Sequence, residues 1–212
     1  MDDIKIKKGT TTVGIVCKNG IVLAADKRAS AGYMIASKEI DKVFPIYDNM
    51  AMTIAGLVSD AQLITKIIKA ELKLKAIRTN KEPTVKETAN MLASLSYSNI
   101  RRPSMVPGIV GFLLGGKDSN SGFNLYEIGI DGSITKCSKF CSDGSGMELA
   151  IGVFETLYKE DMTVDEGVKL AVQAINAAIQ RNIATGDGID VYAITDKGVN
   201  KVYAKKISYK IT

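Results

Sequence analysis

Histidine is absent from all 212 residues, and tryptophan is absent with it. Without imidazole, the usual proton acceptor for a hydroxyl or thiol nucleophile is missing. This excludes Ser-His-Asp and Cys-His mechanisms and every His-ligated metal site. Cysteine is scarce: Cys17, Cys137 and Cys141 form no repeating framework, and no histidine or fourth cysteine completes a zinc site. They read as buried, reduced thiols of a cytosolic protein. Aromatic residues make up 6% of the chain and the lysines form no block, so the net charge of +5 reads as a solvated basic surface and not a nucleic-acid interface. No apolar run approaches the ~18 residues of a membrane span, and the leader MDDIKIKKG lacks the apolar segment of a signal peptide. A cytoplasmic chain with no membrane or nucleic-acid partner is expected.

What is present is a regular alternation of patterns. Thr11–Cys17 is rich in β-branched residues, and the turn Lys18-Asn19-Gly20 leads into the apolar run Ile21–Ala25, a hairpin signal. Val43–Ile46 and Met50–Ala55 read as two more strands. Ser59-Asp60-Ala61-Gln62 has the form of a capping box opening a helix to about Arg78, with Ile64, Ile67, Ile68 and Leu74 inward. Thr84-Val85-Lys86-Glu87 opens a second helix to about Ile100, with Leu92 and Leu95 on its apolar side. Strands return at Ile109–Leu114, Phe123–Ile130 and Ile134–Phe140, the last two joined by an Asp131-Gly132 turn. Ser145-Gly146-Met147-Glu148 predicts a helix to about Leu157. Thr163-Val164-Asp165-Glu166 predicts one to about Arg181, with Val168, Val172, Ile175 and Ile179 at helical spacing. Asp190–Thr195 and Val199–Ala204 close the chain around an Asp196-Lys197-Gly198 turn. No Pro-, Gly- or Ser-rich linker divides it, so one domain is expected. The order (strands, helix pair, strands, helix pair, strands), with hairpins dominating, suits two largely antiparallel sheets packed face to face, each covered by a helix pair.

Without imidazole, one known solution for a hydroxyl is the chain's own α-amine, whose reference pKa of ~7.7–8.0 leaves much of it neutral near neutral pH. Gly9-Thr10-Thr11-Thr12-Val13-Gly14 places such a pair within reach, because a cut after Gly9 would give Thr10 both a hydroxyl and a free amine. The plainer reading is a run of β-formers. In Leu23-Ala24-Ala25-Asp26-Lys27-Arg28-Ala29-Ser30, Asp26 ends an apolar strand, where an ionised carboxylate needs a partner, and Lys42 begins the next strand. Both are surface charges or a buried pair beside Thr10. Gly56 is a turn glycine or a backbone oxyanion donor. Ser145 reads as a helix N-cap. Gly144-Ser145-Gly146 lacks the Gly-Lys-Ser/Thr of a phosphate loop, which makes nucleotide binding a weak rival.

Taken in order, Gly-Thr-Thr-Thr-Val-Gly, Ala-Asp-Lys-Arg-Ala-Ser, Lys42, Thr53-Ile54-Ala55-Gly56, Gly144-Ser145-Gly146 and Arg181…Thr185-Gly186 resemble the β subunits of archaeal 20S proteasomes, from about Gly9 to Val202. The resemblance implies an α+β fold, the four-layer αββα sandwich of N-terminal-nucleophile (Ntn) hydrolases. It implies a propeptide at 1–9, autocatalytic cleavage between Gly9 and Thr10, and one domain at 10–212. By the same resemblance Thr10 is the nucleophile, Lys42 the adjacent lysine, Asp26 the acid holding it and Arg28 a supporting arginine. Gly56 becomes the oxyanion donor and Ser145 a partner of the terminal amine. Ser30 is implied to contact the substrate backbone. Ala29, Ile40, Phe44, Ile54 and Val58 are implied to line the pocket for the residue before the scissile bond, all uncharged, which favours cleavage after apolar residues. Seven-membered β rings paired with each other and capped by α-subunit rings are implied, fed with unfolded polypeptides by an ATP-dependent unfoldase and needing no cofactor. One motif departs from the family's Arg-Asp-x-x-Ser-Gly: this chain has Asn182 and Thr185 in the acid and serine positions. Thr185 keeps a hydroxyl, whereas Asn182 removes a carboxylate expected near the lysine and the amine. A structural ring subunit with little activity of its own is the alternative that this change favours.

Overall fold

Alternating hydrophobic strands with tight turns must pair locally before they can pack, and the computed structural model, which describes residues 9–208, is organised that way. Strands β1 (Thr11–Cys17) and β2 (Gly20–Asp26) form the first hairpin across the Asn19-Gly20 turn. A short hairpin follows, β3 (Ala29–Ala31) and β4 (Met34–Ser37), then β5 (Val43–Tyr47) and β6 (Met50–Gly56). Helices α1 (Val58–Thr79) and α2 (Val85–Arg101) lead to β7 (Val110–Asp118), β8 (Gly122–Ile128), β9 (Ile134–Cys137) and β10 (Phe140–Gly144). Helices α3 (Met147–Leu157) and α4 (Val164–Arg181) precede the closing hairpin β11 (Gly188–Thr195) and β12 (Gly198–Lys206).

The strands form two five-stranded antiparallel sheets, ordered β10-β1-β2-β11-β12 and β5-β6-β7-β8-β9, with β3-β4 as a separate pair. Ile21, Leu23, Leu113, Leu125 and Ile194 fill the layer between the sheets. Ile64, Ile68, Leu72 and Leu92 cover the second sheet, while Phe154, Leu170 and Ile175 cover the first. The molecule is a four-layer αββα sandwich.

Local signals explain most of the element boundaries. Thr84 and Thr163 both cap their helices, each accepting from the backbone N–H of a glutamate (Glu87 or Glu166) whose carboxylate accepts in return. The two serine-led patterns behave differently. Helix α1 starts at Val58, so Ser59 lies inside it and Leu57 occupies the cap. The inward stripe runs Ala61, Ile64, Thr65, Ile68, Leu72; Ile67 is half-buried and Leu74 faces solvent, because position 74 falls off that 3.6-residue stripe. Helix α3 is capped by Gly146 with no side-chain bond, because the Ser145 hydroxyl turns toward Thr10 instead. The single strand expected at Ile134–Phe140 is two: β9 pairs with β8 in one sheet and β10 with β1 in the other, the chain crossing between sheets at Ser138-Lys139. The β3–β4 hairpin, short and largely exposed, carries no apolar alternation that sequence reading could detect. Of the expected leader, only Gly9 lies within the described residues.

Candidate active site

The register of the first sheet assembles the site. In antiparallel order β10-β1-β2-β11, the start of β1, the end of β2, the end of β10 and the start of β11 share one edge. Thr11 pairs with Gly144, Thr12 with Ala25, and Asp26 with Ile189. Thr10 therefore lies between Ser145 and Asp26, two residues 119 positions apart in sequence. The second sheet contributes Lys42, just ahead of β5, and Gly56 at the end of β6.

Asp26 is fully buried and accepts four hydrogen bonds: from Lys42 Nζ at 2.7 Å, Thr11 N at 3.0 Å, Gly186 N at 2.9 Å and Arg28 N at 3.1 Å. A carboxylate so surrounded keeps its charge without water, and Lys42 supplies the neutralising charge. Burial drives the Lys42 pKa below its ordinary value despite the pull of Asp26. Thr10 is buried too. Its hydroxyl donates to Gly9 O, the carbonyl of the uncut Gly9–Thr10 bond, and Lys42 Nζ stands 3.4 Å from that same oxygen. Gly9 itself lies tight against Ser30, whose Oγ is 2.0 Å from the place a Cβ would take.

Behind Thr10 runs a second network. Thr10 N–H donates to Ser145 Oγ at 3.4 Å, and the single hydroxyl proton of Ser145 has Thr10 O at 3.3 Å and Asn182 Oδ1 at 3.1 Å within reach. Asn182, at the C-cap of α4, donates through Nδ2 to Ser145 O at 2.7 Å; its Oδ1 also accepts from Ala184 N and Thr185 Oγ1. Thr185 and Thr11 share a hydrogen bond between their hydroxyls at 2.7 Å. Asn182 thus contacts Ser145, Ala184 and Thr185; sequence reading expected the lost carboxylate near Lys42 and the amine, and Asn182 reaches Thr10 N through Ser145. Besides Asp26, the charge of Asp187, buried and paired with Arg28 Nε at 2.7 Å, acts on Lys42. Arg28 also donates to Ile183 O and lies against Gly186, where a Cβ would meet the guanidinium at 2.5 Å.

A cleft of about 460 Å³ opens on Thr10. Ala29, Ser30, Ile40, Ile54 and Val58 line it together with Gly9, Lys42 and Gly56, as do Tyr33, Leu57 and Ile109, which sequence reading did not select. Phe44 is not on the cleft; half-buried, it packs against the apolar cluster beneath α1 and α2. Gly56 has φ +144°, and a Cβ there would lie 2.1 Å from Ile109 O, so glycine is required for the close strand approach. Sequence reading set Asp187 and Asp190 aside as lying off the matching position and gave Lys27 no role: each is defined by a partner far along the chain, and no local pattern marks such a pairing. Among the described residues no group of three or more Cys, Asp or Glu side chains is placed to hold a metal ion.

A family model described as "Proteasome subunit" matches residues 6–194. The chain belongs to the proteasome subunit family. It is 45% identical over 193 residues to a proteasome subunit beta of Ferroglobus placidus, covering 91% of this chain and 90% of that one. A proteasome subunit beta of Archaeoglobus profundus is 45% identical over 194 residues, covering 92% and 88%. One from Methanosarcina barkeri is 41% identical over 207 residues, covering 98% and 96%. As a proteasome subunit the chain assembles with other subunits of the particle. No helix among the described residues is long and apolar enough to cross a membrane.

Proposed function

We propose that this chain is a catalytically competent β subunit of the proteasome, a threonine endopeptidase that first cuts itself after Gly9. What carries the reading is the placement of the Thr10 hydroxyl against the carbonyl of the bond to be cut, with the Lys42 ammonium 3.4 Å from the same oxygen. Attack of Thr10 Oγ on the Gly9 carbonyl carbon forms a C–O bond; the C–N bond breaks, the hydroxyl proton passes to the departing nitrogen, which becomes the free α-amine, and an ester is left on Oγ. Water hydrolyses the ester, releasing the leader as a carboxylic acid and restoring the Thr10 hydroxyl. That amine, depressed in pKa by the neighbouring Lys42 charge, then serves as base for the hydroxyl in each later turnover. Gly56 N–H stabilises the tetrahedral oxyanion, and the acyl-enzyme on Thr10 is released by water.

The cleft walls Ala29, Ile40, Ile54 and Val58 carry no charge, which favours an apolar residue before the scissile bond. Assembly into paired seven-membered β rings between α rings, delivery of unfolded polypeptides by an ATP-dependent unfoldase and a cytoplasmic location belong to the same reading. Asn182 keeps Ser145 anchored, so loss of the family's carboxylate leaves the serine network standing.

The test is the intact mass of the chain after co-assembly with its α subunit, with and without a peptide epoxyketone, which reacts with the hydroxyl and free amine of an N-terminal threonine together. A chain beginning at Thr10 that gains the adduct supports the reading. A full-length, unmodified chain in the assembled particle overturns it in favour of a structural ring subunit.

A further inference from the structure

Two neighbouring residues at the end of β2 meet two neighbouring residues ahead of β5 in reversed polarity. Asp26 pairs with Lys42 on the site side at 2.7 Å, and Lys27 pairs with Asp41 on the other side at 2.8 Å. Successive residues of an extended chain point to opposite faces, which is why each segment offers one charge to the site and the other away from it. Lys27 is nearly as buried as Lys42, and the proposed chemistry has no use for it.

Its bonds run to the parts that frame the site. The ammonium binds Asp190 Oδ2 of β11 at 2.7 Å as well as Asp41; Lys201 of β12 holds the other oxygen of Asp190 at 3.0 Å. Asp190 and Asp41 are the acidic groups facing it, and Lys201 is the second cation acting on Asp41. The Lys27 backbone accepts from Ile40 N at 3.0 Å and donates to Gly186 O at 3.1 Å. Its stem lies over Gly188, where a Cβ would come within 3.0 Å of its Cδ.

Residues 38–42 belong to no strand or helix, yet they carry both Ile40 of the cleft wall and Lys42. Besides Lys27, the Lys42–Asp26 pair, the exposed Lys206–Glu39 pair and the Ile54 N–H bond to Lys42 O secure this stretch.

We propose that Lys27 is a positioning residue: by clamping Asp41 to Asp190 it fixes the 38–42 segment and thereby the placement of Lys42 Nζ against Asp26 and Thr10. The proposal rests on the reading of Thr10 and Lys42 given above. Asp41→Asn is the sharper variant, since the Asp41 side chain is 62% exposed and its loss leaves the Lys27–Asp190 pair intact. Lys27→Met removes the whole clamp.

The experiment uses particles assembled with the α subunit, counts competent sites by epoxyketone adduct mass, and measures kcat per competent site and KM on an apolar fluorogenic peptide. Asp41→Asn is expected to lower per-site kcat about tenfold with KM little changed, the scale set by small misplacements of catalytic groups. Lys27→Met is expected to lower it further. Per-site kcat equal to wild type in Asp41→Asn, whatever happens to thermal stability, overturns the positioning role alone. A wild-type particle that takes no adduct overturns the reading of the site and this proposal with it.

Discussion

Beneath α1 and α2, the buried Thr65, Thr88 and Asp118 side chains find most of their partners nearby in sequence. Thr65 donates to Ala61 O and Thr88 to Thr84 O, one turn back, and Asp118 accepts from the first N–H of α2 and from Ser121 and Asn124 in its own turn. At the edge where β1, β2, β10 and β11 end, the opposite holds. Thr10 meets Ser145 across 135 residues, Lys27 meets Asp190 across 163, and Thr11 meets Thr185 across 174. Two sheets of equal strand number, each with its helix pair, thus use burial differently. One is a scaffold whose stability is apolar contact; the other has gathered charge at one end, where each group depends on a distant partner.

That contrast sets what substitutions should do. The largest effect on function is expected from Thr10→Ala: no processing and no adduct by mass, with peptide cleavage at background, while the melting temperature changes little because only a hydroxyl and a methyl are lost. Asp26→Asn should damage both properties. It strands the buried Lys42 charge at a cost of about 3–5 kcal/mol, read as a lower denaturation midpoint, and removes the adduct as well. Phe112→Ala, in the centre of the apolar half, should cost a similar ~3–5 kcal/mol through its cavity, yet leave per-site kcat of the assembled particles unchanged. If Phe112→Ala also lowers per-site kcat strongly, the two halves are not separable in this way.

Two finer tests sharpen the comparison. Asn182→Ala frees Ser145 from its 2.7 Å anchor and should slow epoxyketone adduct formation about tenfold, the scale of one lost hydrogen bond, with the melting temperature nearly unchanged. In the apolar half, Lys75 and then the Thr84 backbone hold the Glu87 pKa down to about 2 from 4.5. Because the folded value is depressed, the stabilisation is fully present above about pH 4.5 and is lost as pH falls toward 2. Glu87→Gln should therefore lower the melting temperature slightly at pH 7 and by much less near pH 2. An equal deficit at both pH values would remove the electrostatic explanation.

The sequence was most legible where structure is local. Asn19-Gly20 and Asp131-Gly132 set hairpins, and Thr84 and Thr163 opened helices, because turn and cap chemistry needs only neighbouring residues. The same cap pattern misled at Ser59 and Ser145. At Ser59 the helix had already begun; at Ser145 the hydroxyl turns to Thr10. Thr10, Asp26, Lys42 and Ser145 could be picked out because their order resembles a known set. Lys27, Asp187 and Asp190 could not, since an ion pair between residues some 14 to 163 positions apart leaves no periodicity to read. The break between β9 and β10 was hidden for a related reason: both strands are short and mix polar with apolar residues, and only their pairing partners show that they belong to different sheets.

That crossing at Ser138-Lys139 has a consequence for the order in which the protein is made. Strand β1 emerges from the ribosome first, but its neighbour β10, the Ser145 that follows it, and the Thr185 and Gly186 that hold Thr11 and Asp26 all come from the last third of the chain. Translation proceeds at about 5–20 residues per second, so several seconds separate Thr10 from the groups that complete its surroundings. A partly translated chain carries Thr10 without its setting. Under the proposed function, topology alone keeps the site unassembled through synthesis, before any leader or partner subunit takes part.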